Sequence, residues 1–137
     1  MNKKLKKKLK EITFEYKDKI NIPNIPFGIE IEFAEAKFGL VRKNLEEKLG
    51  YNPTKIQWDE KNFQIKEQYK KWNLKNERTV QTQSKEEIGT KYGGEVTSPI
   101  MKNQKKYWQE LKNICNTLSE IENIKINQNC SIHIHIS

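Results

Sequence analysis

The chain has 137 residues and a formal net charge of +8, with 34% hydrophobic and 32% charged residues. No apolar run could span a membrane, no secretory signal precedes the first elements, and the two cysteines do not make a disulfide framework, so we expect a soluble cytoplasmic protein without a membrane partner. The mean hydropathy of -0.95 is low for a compact domain of this length and indicates a small core in a large solvated shell, or part of a larger unit.

The amino-terminal segment is basic, since six of the first ten residues are lysines. Apolar residues at helical spacing predict a helix over 2–19, and the Pro-rich stretch 21–26 ends it. We therefore divide the chain into a basic helical or flexible leader, 1–26, and a domain, 27–137. A solvated tail is the favoured interpretation of the leader. A lysine-rich, nucleic-acid-associated protein is the alternative, although the whole chain has two arginines, the residue preferred for phosphate and base recognition.

Within the domain, hydrophobic periodicity predicts two helices and several short strands. The helices are expected at 38–49, which Gly50 would end, and at 101–121. No element is predicted in 51–68. Strands are expected at 27–34, at 69–74 and 78–83 as a hairpin, at 92–98 and at 130–137. This order, with mostly antiparallel neighbours, predicts an α+β fold rather than a doubly wound parallel sheet.

Two of these strands alternate apolar residues with potential metal ligands. In the first strand, Glu30 and Glu32 share a face, and in the last strand His133 and His135 share a face. Carboxylates and imidazoles arranged in this way predict a divalent-cation site on the sheet. An acidic outer face on an ordinary half-buried strand, and histidines without a ligand role, remain the alternatives.

Glu95 is a third acidic candidate, because it follows two glycines that permit a close backbone approach. A turn is the commoner explanation for such a segment. No phosphate loop, dinucleotide-binding fingerprint or nucleophile elbow is present, so metals and strand-borne side chains would have to hold any nucleotide.

Three segments in order resemble the amidoligase family, which is similar to glutamine synthetase and glutamate–cysteine ligase. They are Phe27-Gly-Ile-Glu-Ile-Glu-Phe33, Gly94-Glu-Val-Thr-Ser-Pro-Ile100 and Asn129-Cys-Ser-Ile-His-Ile-His-Ile-Ser137. Trp72-Asn-Leu74 followed by Glu77 resembles a further family segment, in which the acid is more often Asp. The resemblance implies a curved, mostly antiparallel sheet with helices packed on one face, as in the glutamine synthetase catalytic domain.

The resemblance also implies a function and roles for single residues. The function is an ATP-dependent carboxylate–amine ligase that works through an acyl-phosphate on two or three Mg²⁺ or Mn²⁺ ions. Glu32 and Glu95 would bind one ion, Glu30 and His133 the ion beside the ATP phosphates, and His135 a phosphate or the acyl-phosphate. We count His135 and the family acid Glu77 as catalytic candidates, and the substrates would be a small-molecule or peptide carboxylate and an amine.

Relatives of this kind continue beyond the His-X-His strand and supply a further carboxylate and a phosphate-binding arginine. We therefore expect the chain to be the amino-terminal part of an incomplete catalytic domain, with weak metal affinity and no turnover by itself. A missing carboxy-terminal half or a homo-oligomer would complete the site. A metal-dependent hydrolase that uses the same acids and histidines is the second alternative.

Overall fold

The computed structural model describes residues 24–55, 69–83 and 88–136. The helix predicted at 2–19, almost all of the leader, and most of the segment 51–68 lie outside these residues. In the part of the chain that is described, no helix is long and apolar enough to cross a membrane.

The observed elements follow the predicted order. The strands are β1 (Phe27–Lys37), β2 (Asn73–Lys75), β3 (Thr82–Gln83), β4 (Lys91–Thr97) and β5 (Ile132–Ile136), and the helices are α1 (Phe38–Leu49) and α2 (Lys105–Ser119). Helix α1 has the predicted bounds and ends at Gly50, which adopts the left-handed conformation (φ 77°) that glycine tolerates best. Strand β1 is three residues longer than predicted, because an irregularity in its pairing with β4 between Phe33 and Lys37 carries the strand onward.

The five strands form one antiparallel sheet with the order β2-β4-β1-β5, and β3 also pairs with β4. The fold is therefore α+β, as the element order predicts. The hairpin predicted from 69–83 is wrong, because β2 and β3 both pair with β4 and not with each other. A turn between them, in which the Gln81 N–H donates to the Glu77 carbonyl at 2.9 Å, carries the chain along the same edge of β4.

The hydrophobic core lies between one face of the sheet and the two helices. Alternation aims the apolar residues of β1 and β4 toward this side, and both helices contribute buried residues to it. The most deeply buried members are each at most 2% exposed, namely Phe33, Ala36, Val41, Leu45, Trp72, Leu74, Val96, Met101 and Ile114. The opposite face of the sheet carries polar side chains of β1, β2, β4 and β5.

The isoleucines of strand β5 lie on the same face of the sheet as the core residues of β1 but are exposed. Ile132, Ile134 and Ile136 are 61%, 63% and 73% exposed. Among the described residues, β5 is an edge strand that pairs only with β1, whereas α1 packs over β1 and β4 and α2 packs against α1. The alternation is therefore present in β5, but no described element covers its apolar side.

Candidate metal centre and active site

Strand register brings the ligand-type side chains of three strands onto the polar face. Glu30 of β1 lies opposite His133 of β5 on one side and Thr97 of β4 on the other. Two residues further along β1, Glu32 lies opposite Glu95. Since residues directly opposite each other in antiparallel strands point to the same face, these side chains share one surface.

Three carboxylates come together at the β1–β4 end of this surface. Glu32, Glu77 and Glu95 each offer an oxygen, and these oxygens all lie within 4.8 Å of one another. Glu77 reaches the group from the turn after β2, where its carboxylate accepts hydrogen bonds from the backbone N–H and the hydroxyl of Thr79 at 3.0 and 2.8 Å. These two hydrogen bonds lower the pKa of Glu77 and favour its ionised form.

The Glu95 carboxyl has a raised pKa. Burial is the largest cause, and the negative charge of Glu30 is the next. The neighbouring Lys75 opposes the shift, while Glu77 and Glu32 add to it. The clustered acids therefore repel one another, and a cation among them would relieve the repulsion.

The donor set fits a small, hard divalent cation. Mg²⁺ takes oxygen ligands at about 2.0–2.1 Å, so ligands on opposite sides of the ion are about 4.1 Å apart. Only one pair among three ligands can lie on opposite sides of the ion, and adjacent ligands are about 2.9 Å apart. Carboxylate oxygens that lie within 4.8 Å of one another would therefore have to approach by up to about 2 Å to share such an ion. Flexible Glu side chains can make that adjustment, so Mg²⁺ or Mn²⁺ fits this group of acids.

Glu30 forms a second group with the two histidines. Its Oε2 lies 3.2 Å from Nδ1 of His133 and 3.1 Å from Nε2 of His135. Burial acts to raise the pKa of Glu30, but hydrogen bonds and charge interactions with His135 and His133 outweigh it, so the pKa is lowered. One carboxylate oxygen therefore organises both imidazoles on the polar face.

Backbone contacts fix the two central acids. Glu32 is 5% exposed, and its Oε2 accepts a 2.7 Å hydrogen bond from the Ser131 N–H. Before Glu95, a Cβ on Gly93 would lie 2.7 Å from a backbone carbonyl oxygen, and Gly93 has a positive φ of 87°. A Cβ on Gly94 would lie 3.0 Å from the Lys75 carbonyl oxygen. The glycine pair thus lets the backbone of β2 and of the turn after it pass close to β4, which brings Glu77 and Glu95 together.

A cavity of about 400 Å³ opens on the polar face beside the Glu30–histidine group. Glu30 and His135 line it together with Lys75 and Thr97, and Phe27 forms part of its apolar wall. Lys75 and Thr97 are not among the site residues predicted from the sequence. The strand predicted at 69–74 ends before Lys75, and nothing in the motif 94–100 distinguishes Thr97 from its neighbours.

The structure thus gathers the predicted site residues on one face in two adjoining groups. Glu32, Glu77 and Glu95 form the first, and Glu30 with the two histidines forms the second. Glu77, which the resemblance marks as a catalytic candidate, lies with the predicted metal ligands Glu32 and Glu95.

Comparison with known proteins identifies one family. The sequence profile described as "Putative amidoligase enzyme" matches residues 23–137, which is most of the chain. Searches of curated proteins and of solved structures give no match.

Proposed function

The chain belongs to the amidoligase family, and from this premise we propose that its polar face serves an ATP-dependent ligase that joins a carboxylate to an amine. The fold of the complete catalytic unit would resemble that of glutamine synthetase. The substrates would be a small-molecule or peptide carboxylate, an amine and ATP, and the ions would be Mg²⁺ or Mn²⁺.

One observation carries the proposal, namely the convergence of Glu32, Glu77 and Glu95 on one point of the sheet. These acids come from two strands and a turn that are far apart in sequence. Family membership alone would not require them to meet. Their approach is electrostatically unfavourable in the absence of a cation, which supports a role in holding a divalent ion.

In the proposed site, the acids and the imidazoles have different roles. Glu32, Glu77 and Glu95 would hold one ion, and Glu30 with His133 would hold another. A bound divalent ion would neutralise phosphate charge in the transition state. His135, oriented by Glu30, would donate a ring N–H to a phosphoryl oxygen. Carboxylate attack on ATP needs positioning and charge stabilisation more than it needs a base, which suits a site of acids and imidazoles.

The proposed reaction proceeds in two steps. A carboxylate oxygen of the acceptor attacks the γ-phosphorus of ATP, the bond to the β-phosphate oxygen breaks, and ADP leaves. The amine then attacks the acyl carbon of the acyl-phosphate, inorganic phosphate leaves, and the amine nitrogen loses a proton. The products are an amide, ADP, phosphate and a proton.

Metal and nucleotide binding test the proposal without depending on turnover. Electron paramagnetic resonance counts free Mn²⁺ during a titration, and thermal denaturation measures the stabilisation by ATP with Mg²⁺. We expect Mn²⁺ to bind the unmodified chain, and Glu32→Gln to weaken it at least tenfold. The matched control, Glu47→Gln, changes an exposed acid on α1 and should bind Mn²⁺ normally.

Two results would contradict the proposal. One is equal Mn²⁺ binding by the Glu32→Gln variant and the unmodified chain. The other is stabilisation by Zn²⁺ alone without any effect of ATP and Mg²⁺, which would favour a metal-dependent hydrolase instead.

A further inference from the structure

The hydroxyl of Thr97 is buried on the polar face and has no hydrogen-bond partner among the described residues. The residue is 6% exposed and lines the 400 Å³ cavity. A buried hydroxyl without a partner is unfavourable, because it has lost its hydrogen bonds to water. Such groups are uncommon in native proteins and call for a specific explanation. A bound ligand group is one such explanation, and the position of Thr97 in a cavity favours it.

A positively charged side chain also lines this cavity. Lys75 of β2 lines it, and β2 pairs with β4 so that Asn73 lies opposite Thr97 and Lys75 lies opposite Glu95. Lys75 and Thr97 are therefore diagonal neighbours on one face, with Cα atoms about 7–8 Å apart. A single ligand group between them can contact both the ammonium and the hydroxyl.

The chemistry of this pair selects an oxyanion. The Lys75 ammonium has donors only, and the Thr97 hydroxyl can donate one hydrogen bond. A phosphoryl group fits better than a carboxylate, because it has three terminal oxygens, one for each of the donors Thr97, Lys75 and His135 that line the cavity. The carboxylate of Glu30 would repel such an anion by itself, so the positive charge of Lys75 offsets part of that repulsion.

We propose that Thr97 Oγ1 and Lys75 Nζ bind one phosphoryl group in this cavity, next to Glu30 and His135. The inference rests on the proposed function, which supplies a nucleotide as the source of the phosphoryl group. It adds two positioning residues to that site, neither of which holds a metal ion.

Two substitutions in the full chain test the proposal, with ADP as the probe in the presence of saturating Mn²⁺. Thr97→Val keeps the shape of the side chain and removes the hydroxyl, and Lys75→Gln removes the charge. We expect each variant to bind ADP roughly tenfold more weakly, the cost of one hydrogen bond to a charged group. For Thr97→Val, Mn²⁺ affinity in the absence of ADP should stay within about twofold of the unmodified chain, because the hydroxyl is uncharged and does not ligate the ion.

Matched controls are Thr82→Val on β3 and Lys112→Gln on α2, both at exposed positions, and neither should affect ADP binding. Thermal denaturation without ligand gives a second measurement. Thr97→Val should melt at the same temperature as the unmodified chain or higher, because it removes a buried hydroxyl for which the described part of the chain offers no hydrogen-bond partner.

The possible results separate the two proposals. If the unmodified chain binds ADP with Mn²⁺ and both variants bind it equally well, the phosphoryl subsite is refuted while the proposed function stands. If Thr97→Val lowers the melting temperature without ligand by several degrees, the hydroxyl has a structural partner and the inference also fails. If the unmodified chain binds Mn²⁺ but no ADP, both the proposed function and the subsite are refuted.

Discussion

The carboxylate cluster predicts that removing one of its charges stabilises the metal-free protein. Glu32 and Glu95 lie opposite each other on β1 and β4, with carboxylate oxygens within 4.8 Å. Two unit charges at that distance repel by about 3 kcal/mol at an effective dielectric constant of about 20, and by about 1 kcal/mol at the value for water. Because Glu95 is only partly buried, we expect Glu95→Gln to stabilise the metal-free chain by roughly 1–2 kcal/mol, or about 3–8 °C in melting temperature.

Saturating Mn²⁺ should reverse this order. The unmodified chain gains RT ln(1 + [L]/Kd), about 2.7 kcal/mol at 100 times the Kd, whereas Glu95→Gln has lost a charged ligand and gains little. Thermal denaturation with chelator and with Mn²⁺ measures both states, and Glu47→Gln on α1 is the control for loss of an exposed charge. A metal-free Glu95→Gln variant that melts at or below the temperature of the unmodified chain would refute the reasoning.

The pH dependence gives the same prediction a second measurement. The pKa of Glu95 is raised from its usual 4.5 by burial and then by nearby negative charge, so the folded state holds this proton more tightly than the unfolded state. Its contribution therefore favours folding at low pH and is lost as the pH rises from about 4.5 through the raised pKa. Urea denaturation of the metal-free protein across this range should show the loss, and Glu95→Gln should reduce it.

Two further predictions concern the scaffold that positions the acids. Gly93→Ala should destabilise the chain by roughly 2 kcal/mol or more, since the positive φ of Gly93 and a backbone oxygen 2.7 Å from the new Cβ disfavour any side chain. Gly39→Ala in α1, whose Cβ would meet nothing within 4 Å, should instead stabilise the chain by about 0.5–1 kcal/mol. Equal melting temperatures for the two variants would contradict this prediction. Trp72→Phe should cost roughly 1–3 kcal/mol in urea denaturation, because it removes the 2.9 Å hydrogen bond from the buried indole N–H to Glu110, and an unchanged midpoint would mean that this hydrogen bond contributes nothing.

Local patterns predicted most elements of the fold. The period of α1 and the glycine after it gave the helix its observed bounds, and alternation placed Glu30 and Glu32 on one face of β1. The hairpin predicted from 69–83 is wrong, because the short runs of β2 and β3 carry no information about which strand each of them pairs with. Both pair with β4, and that choice depends on contacts distant in sequence.

Some features of the candidate site can likewise be predicted from the sequence, and others cannot. The motifs that contain Glu30, Glu95 and the two histidines can be recognised in the sequence, and so can the family that these motifs resemble. The proximity of Glu77 to Glu32 cannot be recognised in the sequence, since it depends on the turn after β2 and on the close packing of the glycine pair against that turn.

The sequence by itself determined the secondary structure periods, the face on which each strand carries its acids or imidazoles, and the family. Only the tertiary structure decided which carboxylates share one point, that the buried Thr97 hydroxyl has no hydrogen-bond partner among the described residues, and that the isoleucines of β5 are exposed. The physical reason is that the direction of a side chain follows from the local backbone period. Distances between strands, by contrast, follow from register and packing, which the whole folded chain sets together.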